Sequence, residues 1–235
     1  MKKLTSFYRQ AALLAVVSAS LFFNNAVLHA ASVGFSTNSV DASGTGFGAI
    51  FNVLTVQNDD TEWGSVLLDG SGLDVLGGNA TASSMTRTAD ELLGSGIDRF
   101  NFGLVLNINE SVGPPPREIT LNDFTVRFYT DPNNFGSFFD ATYVAPVSGV
   151  VLPAVAPGTG TAGWLFNIQL SEAEFNSFFG NPLNRVGMFI LEPDMILNSS
   201  DGAENFFFVA IPEPSTYAFA GLGAVVALFA LRRRK

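Results

Sequence analysis

The sequence predicts an all-β domain, folded as an antiparallel β-sandwich of jelly-roll or immunoglobulin-like form with one short helix. Three observations carry this. Of eight strand-like runs, most alternate apolar with polar or small residues, the period-2 pattern of a half-buried strand. Clusters of Gly, Pro, Asn and Asp break the chain between them. The 23 phenylalanines, several of them adjacent as in Phe206-Phe207-Phe208, supply the aromatic bulk of a core between two sheets.

Ahead of the first run lies a segment of another kind. Lys2, Lys3 and Arg9 precede an apolar stretch from Ala11 to Phe23, which leads into small residues at Ala30, Ala31 and Ser32. That order predicts a secretory signal peptide over residues 1–30, its apolar part helical, cut between Ala30 and Ala31. The stretch is shorter than the roughly 20 residues that span a bilayer. The Sec translocon and signal peptidase are the partners this implies.

From Ser32 to Gly46 the chain is small and polar, a lead-in. Strands are then expected over Phe47–Gln57, Glu62–Leu68, Ile97–Asn109, Glu118–Thr130, Phe138–Ala145, Gly163–Leu170, Arg185–Leu191 and Ala203–Ile211. Turns fall at Gln57–Asp60, Asp69–Gly72, Gly113–Pro116, Asp131–Asn134, Pro157–Gly160 and Ser200–Gly202. Within Glu118–Thr130, Asn122-Asp123 separates Ile119 and Leu121 from Phe124, Val126 and Phe128 and marks a bulge or bend. The stretch from Gly70 to Arg99 reads as a long loop or an edge insertion. Ser171 and Glu174 form a capping box ahead of Phe175, Phe178 and Phe179, and Gly180 with Pro182 ends that helix.

Residues 31–211 form one domain of ordinary size. They hold twenty acids against Arg87, Arg99, Arg117, Arg127 and Arg185, which leaves a net charge of −15 and no lysine. Such a surface keeps a protein soluble and excludes nucleic acid as a partner. With no cysteine in the chain, disulfides cannot stabilise it. The single histidine, His29, leaves with the signal peptide. Serine and cysteine nucleophile systems relying on histidine, zinc sites of Cys or His, haem or iron–sulfur ligation and Schiff-base lysines are therefore excluded from residues 31–211.

The C-terminus reads in three parts: Pro212-Glu213-Pro214, an apolar run from Tyr217 to Leu231, and Arg232-Arg233-Arg234-Lys235. The prolines hold an extended segment. As a helix the run would rise about 22 Å against a hydrocarbon core of about 30 Å, so it crosses only with local thinning or snorkelling. A transmembrane helix over 217–231 with the basic tail 232–235 as its cytoplasmic stop satisfies the positive-inside rule and places the preceding domain outside.

Residues 211–235 with these parts in this order resemble the PEP-CTERM sorting signal. The resemblance implies that an exosortase recognises Pro212-Glu213-Pro214, cuts nearby, and releases the protein to the cell surface or transfers it there after transient single-pass anchoring in the inner membrane. Proteins with such tails belong to Gram-negative-type envelopes and often to organisms that make exopolysaccharide.

Three oxygen-rich turns are candidate calcium sites: Asp59 and Asp60 with Glu62, Asp131 with Asn133 and Asn134, and Asp201 with Glu204 around Gly202. No other cofactor is expected, and none of the turns has EF-hand spacing. Gly70–Leu76 fits the core of a calcium-binding β-roll repeat but occurs once, which that architecture does not tolerate. Trp63 and Trp164, with Tyr129 and Tyr143, are candidates for stacking on sugar rings. The expected function is a non-enzymatic structural or adhesive component of the envelope or exopolysaccharide matrix. The alternatives are a carbohydrate-binding module, calcium-assisted or not, and a glycan-cleaving enzyme using two carboxylates.

Overall fold

A computed structural model describes residues 31–42, 47, 49–58, 61–109, 118–153, 162–197 and 202–212. Thirteen strands and two short helices follow one another as β1 (Ser32–Asp41), β2 (Phe51–Val56), β3 (Thr61–Leu68), β4 (Asp74–Gly78), β5 (Arg87–Thr88), α1 (Ala89–Gly94), β6 (Phe102–Asn107), β7 (Glu118–Leu121), β8 (Asp123–Tyr129), β9 (Phe138–Val144), β10 (Val150–Pro153), β11 (Ala162–Gln169), α2 (Glu172–Phe179), β12 (Arg185–Leu197) and β13 (Glu204–Ala210). The all-β expectation holds, and two of its details are corrected. There are two helices among the described residues, not one, and the strands form one hydrogen-bonded sheet, not two.

The sheet runs β10-β7-β12-β8-β9-β1-β11-β6-β13-β2, with β3 and β5 also on β12 and β4 on β3. It is continuous because β1 pairs along β11 while meeting β9 through a single parallel pair, Ser32 with Thr142. That one pair separates two arms, which curl until their inner faces meet. Phe124 of β8 lies 5.1 Å from Phe166 of β11 and 5.8 Å from Phe206 of β13, and Phe102 of β6 lies 5.9 Å from Phe128. The other end of the curl closes through residues 79–85: the Thr81 and Met85 amides donate to the Thr55 and Val53 carbonyls, and the Asn79 amide donates to the Trp63 carbonyl.

The inward set follows the alternation in the sequence. Phe124, Val126 and Phe128 of β8, Val186, Met188 and Ile190 of β12, and Phe206 and Phe208 of β13 are buried in one core, with Phe178 and Phe179 of α2 packed against its end. Aromatic burial on this scale stabilises by roughly 2 to 3 kcal/mol per ring before entropic costs. The outer face of β11, β6 and β13 carries a second cluster, Val105, Leu165 and Val209 with Ala42, and Val40, Phe47 and Ile50 cover it.

Asn122 does separate two strands. Its amide donates to the Asp194 carbonyl and its carbonyl accepts from the Ala145 amide, so β7 and β8 pair with different parts of β12. Within the predicted lead-in, Ser32–Asp41 instead form β1, and the loop predicted after Gly70 contains β4, β5 and α1. β12 continues past Leu191 because Pro193 falls in the irregular stretch between Ile190 and Met195, where no ladder amide is needed. The predicted signal helix and the transmembrane helix over 217–231 lie outside the described residues. Among the described residues no helix is long and apolar enough to cross a membrane.

Candidate functional site

The chain reaches its C-terminal motif from the strand next to one end of the sheet. β13 lies between β6 and β2, with Ala210 opposite Phe102 and Phe206 opposite Leu54. The pairing extends one residue further, since the Ile211 amide donates to the Asn101 carbonyl at 2.6 Å. Gly103 makes this possible. A Cβ there would stand 2.7 Å from Ile211 and 2.9 Å from Val209, so only glycine lets both side chains cross the β6 backbone. Pro212 follows at once and has no amide to continue the ladder. Glu213, Pro214, the run 217–231 and Arg232, Arg233, Arg234 and Lys235 lie outside the described residues.

The other processing point lies close to the same elements. Ala30 is outside the described residues, but the Ala31 amide donates to Glu174 Oε1 at 2.9 Å. Glu174 is the N3 residue of α2, and its other oxygen accepts from the Ser171 amide at 2.8 Å as half of a capping box. The first turn of α2 also carries Glu172, which pairs with Arg99 at 3.1 Å. Asn101, two residues on from Arg99, holds Ile211. One pole of the molecule therefore gathers Ala31, the start of α2, the loop before β6 and the departure of the C-terminal segment.

The body is thus an all-β domain whose last strand, paired on both sides, runs without a linker into a proline-flanked tail, the layout of an exported protein bearing a C-terminal tag. Residues 210–235 match the PEP-CTERM protein-sorting motif. The motif implies exosortase as the processing partner and export to the cell envelope. No curated protein and no solved structure matches the chain.

The calcium candidates separate. Asp59, Asp60 and Asp201 lie outside the described residues. Glu62 is fully buried, not a solvated turn ligand, and its Oε1 accepts from the Asn58 amide at 2.8 Å. Asp131 closes its own turn by accepting from the Asn133 amide at 2.9 Å, while Asn134 Oδ1 accepts from Gly136. Among the described residues no three His, Cys, Asp or Glu side chains come together as metal ligands would. Asp74 of the single β-roll-like segment accepts from Thr86 Oγ1 at 2.6 Å and pairs with Arg185 at 3.2 Å.

The aromatic candidates also divide. Trp164 is half-buried, its indole Nε1 donating to the Pro153 carbonyl at 3.0 Å and its ring 6.1 Å from Phe35. Tyr129 and Tyr143 are buried; the Tyr129 hydroxyl accepts from the Leu68 amide, and Tyr143 stacks on Phe124. Burial and the charge of Asp123 push the Tyr143 phenol up. Trp63 alone of the four reaches 36% exposure. Its ring lies on Gly78, where a Cβ would come within 2.5 Å and where φ is +60°.

Sequence reading missed two features. Glu62 and Glu204 are both fully buried, at the start of β3 and of β13. The signal was their phase: Glu204 shares the inward phase of Phe206 and Phe208, and Glu62 that of Gly64 and Val66. In the sequence, Arg127 of β8 reads only as one of five bases in the charge balance. It pairs bidentately with Asp140 at 2.8 Å and lies 3.8 Å from the Phe138 ring centroid, an arrangement that holds its guanidinium pKa above the usual arginine range.

Proposed function

We propose that this chain is an exosortase-sorted surface protein whose body is a non-enzymatic structural or adhesive component of the envelope or of an exopolysaccharide matrix. The observation that carries the reading is the sorting motif at 210–235 abutting β13 with no linker. A body sent outward by such a tag, without His, Cys or Lys in residues 31–211, is equipped for binding and packing far better than for covalent chemistry. The finer steps belong to the same proposal: signal peptidase cuts before Ala31, segment 217–231 anchors the precursor in the inner membrane, and exosortase then frees it.

Changing Pro212 and Pro214 together to alanine should leave export intact but keep the protein in the membrane fraction. Intact mass of the surface form of the unaltered chain should show loss of residues 1–30 and of the tail beyond about Pro214. Normal release of the double variant, or a surface form with residues 217–235 still attached, would overturn the sorting role of these prolines.

A second reading, carbohydrate binding, is favoured by one observation. Trp63 offers an exposed ring on the outer face of β3, and Phe189 of β12, opposite Ser65 of β3, projects on that face beside the Arg127–Asp140 pair. On a glycan array run with and without calcium, Trp63→Ala should lose at least roughly tenfold in binding, the scale of one lost stacking contact. An unaltered array profile for Trp63→Ala rejects this site.

A further inference from the structure

We propose that the pole gathering Ala31, the start of α2 and the departure of the C-terminal segment faces the phospholipid surface, and that Phe100 enters the lipid interface while the precursor is anchored. Phe100 is 78% exposed. It stands next to Asn101, whose carbonyl holds the last paired amide before the sorting motif.

The loop that presents Phe100 is tightly braced. Asp98 Oδ1 accepts from the Phe100 amide at 2.7 Å and from the Asn101 amide at 3.1 Å. The Asp98 amide donates to Asn101 Oδ1 at 2.6 Å, and Asn101 Nδ2 donates to the Gly96 carbonyl at 2.9 Å. Arg99 ties the loop to Glu172, and its guanidinium lies 5.3 Å from the Phe100 ring. A backbone held by this many bonds presents a large apolar ring to water as a fixed feature of the fold. Leu93 of α1 and Leu183, within the 182–184 segment to which α1 donates, are exposed as well.

Chain length selects the occupant. Five residues lie between Ile211 and Tyr217, where the apolar run begins, so the six steps of an extended chain place Ile211 no more than about 20 Å from the hydrocarbon. Aromatic rings are favoured at the membrane–water interface. The −15 charge of residues 31–211 opposes broad contact with an anionic leaflet. A single apolar tip flanked by one arginine therefore fits this surface better than a wide adhesive face. The proposal rests on the reading that segment 217–231 anchors the precursor.

Because the chain contains no cysteine, Phe100→Cys and Val147→Cys each create one labelling site. Val147 is fully exposed in the turn after β9, whose last residue pairs with Asp123 at the opposite end of β8 from Phe128, the residue against which Phe102 packs. The precursor of residues 31–235, isolated from cells without exosortase, is reconstituted in phosphatidylethanolamine–phosphatidylglycerol vesicles with an environment-sensitive dye on either cysteine. The expected result is flotation of both proteins with the vesicles, with a blue shift and loss of emission to headgroup-proximal doxyl lipid at position 100 and neither at 147. Flotation with position 100 unquenched, or with both positions quenched alike, overturns the proposal while leaving the anchor intact. Failure to float overturns the anchoring reading and the proposal with it. Quenching at 100 that requires added exosortase assigns the contact to the enzyme and overturns the lipid assignment.

Discussion

The two outer faces of the curled sheet are treated differently by the chain. Over β11, β6 and β13, residues Val40, Phe47 and Ile50 lie across Val105, Leu165 and Val209 and make a second small core. Over β3, β12, β8 and β9 only the end at Tyr129 is covered among the described residues, by Phe135, and the rest of that face relies on cross-strand pairs: Arg127 with Asp140, Thr125 with Thr142, Leu67 opposite Val75. The first face is spent on stability, whereas the second leaves Trp63, Phe138 and Leu191 open to solvent. Recognition by the body is therefore expected on the second.

The largest effect should come from placing a charge under the cover. Val105 is fully buried, so Val105→Asp should destabilise by about 4 kcal/mol, a large share of the stability of an ordinary domain. Leu191→Asp, a position 59% exposed on the other face, should change stability by no more than about 0.5 kcal/mol. Denaturant titration of both variants decides the matter. Equal losses would mean that the two faces are not distinct.

A middle-sized effect is expected at Arg127. Its removal breaks two hydrogen bonds to Asp140 and a contact with the Phe138 ring, and leaves Asp140 without its counter-ion. Arg127→Ala should cost about 1.5 to 3 kcal/mol, within the range for charge-assisted bonds that are partly screened. Arg127→Lys should recover less than half of this, because an ammonium cannot reproduce the bidentate fork. A shift in thermal midpoint measured for both variants tests the claim, and full recovery by lysine would reduce the pair to simple charge attraction.

How far each feature could be read in advance depended on whether its signal is local. The sorting tail acts through sequence order, so Pro212-Glu213-Pro214, the apolar run and the basic end were readable without a fold. Strands such as β8 announced themselves because Phe124, Val126 and Phe128 alternate cleanly. β1 did not: Gly34, Ser36, Asn38 and Ser39 have weak strand preference, and it is β11 that holds this segment extended. α1 is only six residues long, although Thr88 and Glu91 formed a capping box that marked it. The pole that joins Ala31 to Ile211 was beyond sequence reasoning, because its members lie 180 positions apart in the chain and meet only through Glu174, Glu172, Arg99 and Asn101.

The smallest effect concerns the edge of the open face. Asp194 lies in the irregular part of β12, where burial and then the charge of Asp123 push its carboxyl up from the ordinary aspartate value. A carboxyl with a raised folded-state pKa binds its proton more tightly in the folded protein. Its favourable contribution is complete below the unfolded aspartate range and is lost as pH rises through the raised value. At neutral pH the ionised group is therefore a cost, and Asp194→Asn should stabilise the protein there. The gain should be no more than about 0.5 kcal/mol, because solvent still screens this site. It should shrink towards zero when the thermal midpoint is measured below the aspartate range, where the native carboxyl is already neutral. A gain that grows with acidity would reverse the sign of the argument and would mean that Asp194 serves the fold as a charged partner.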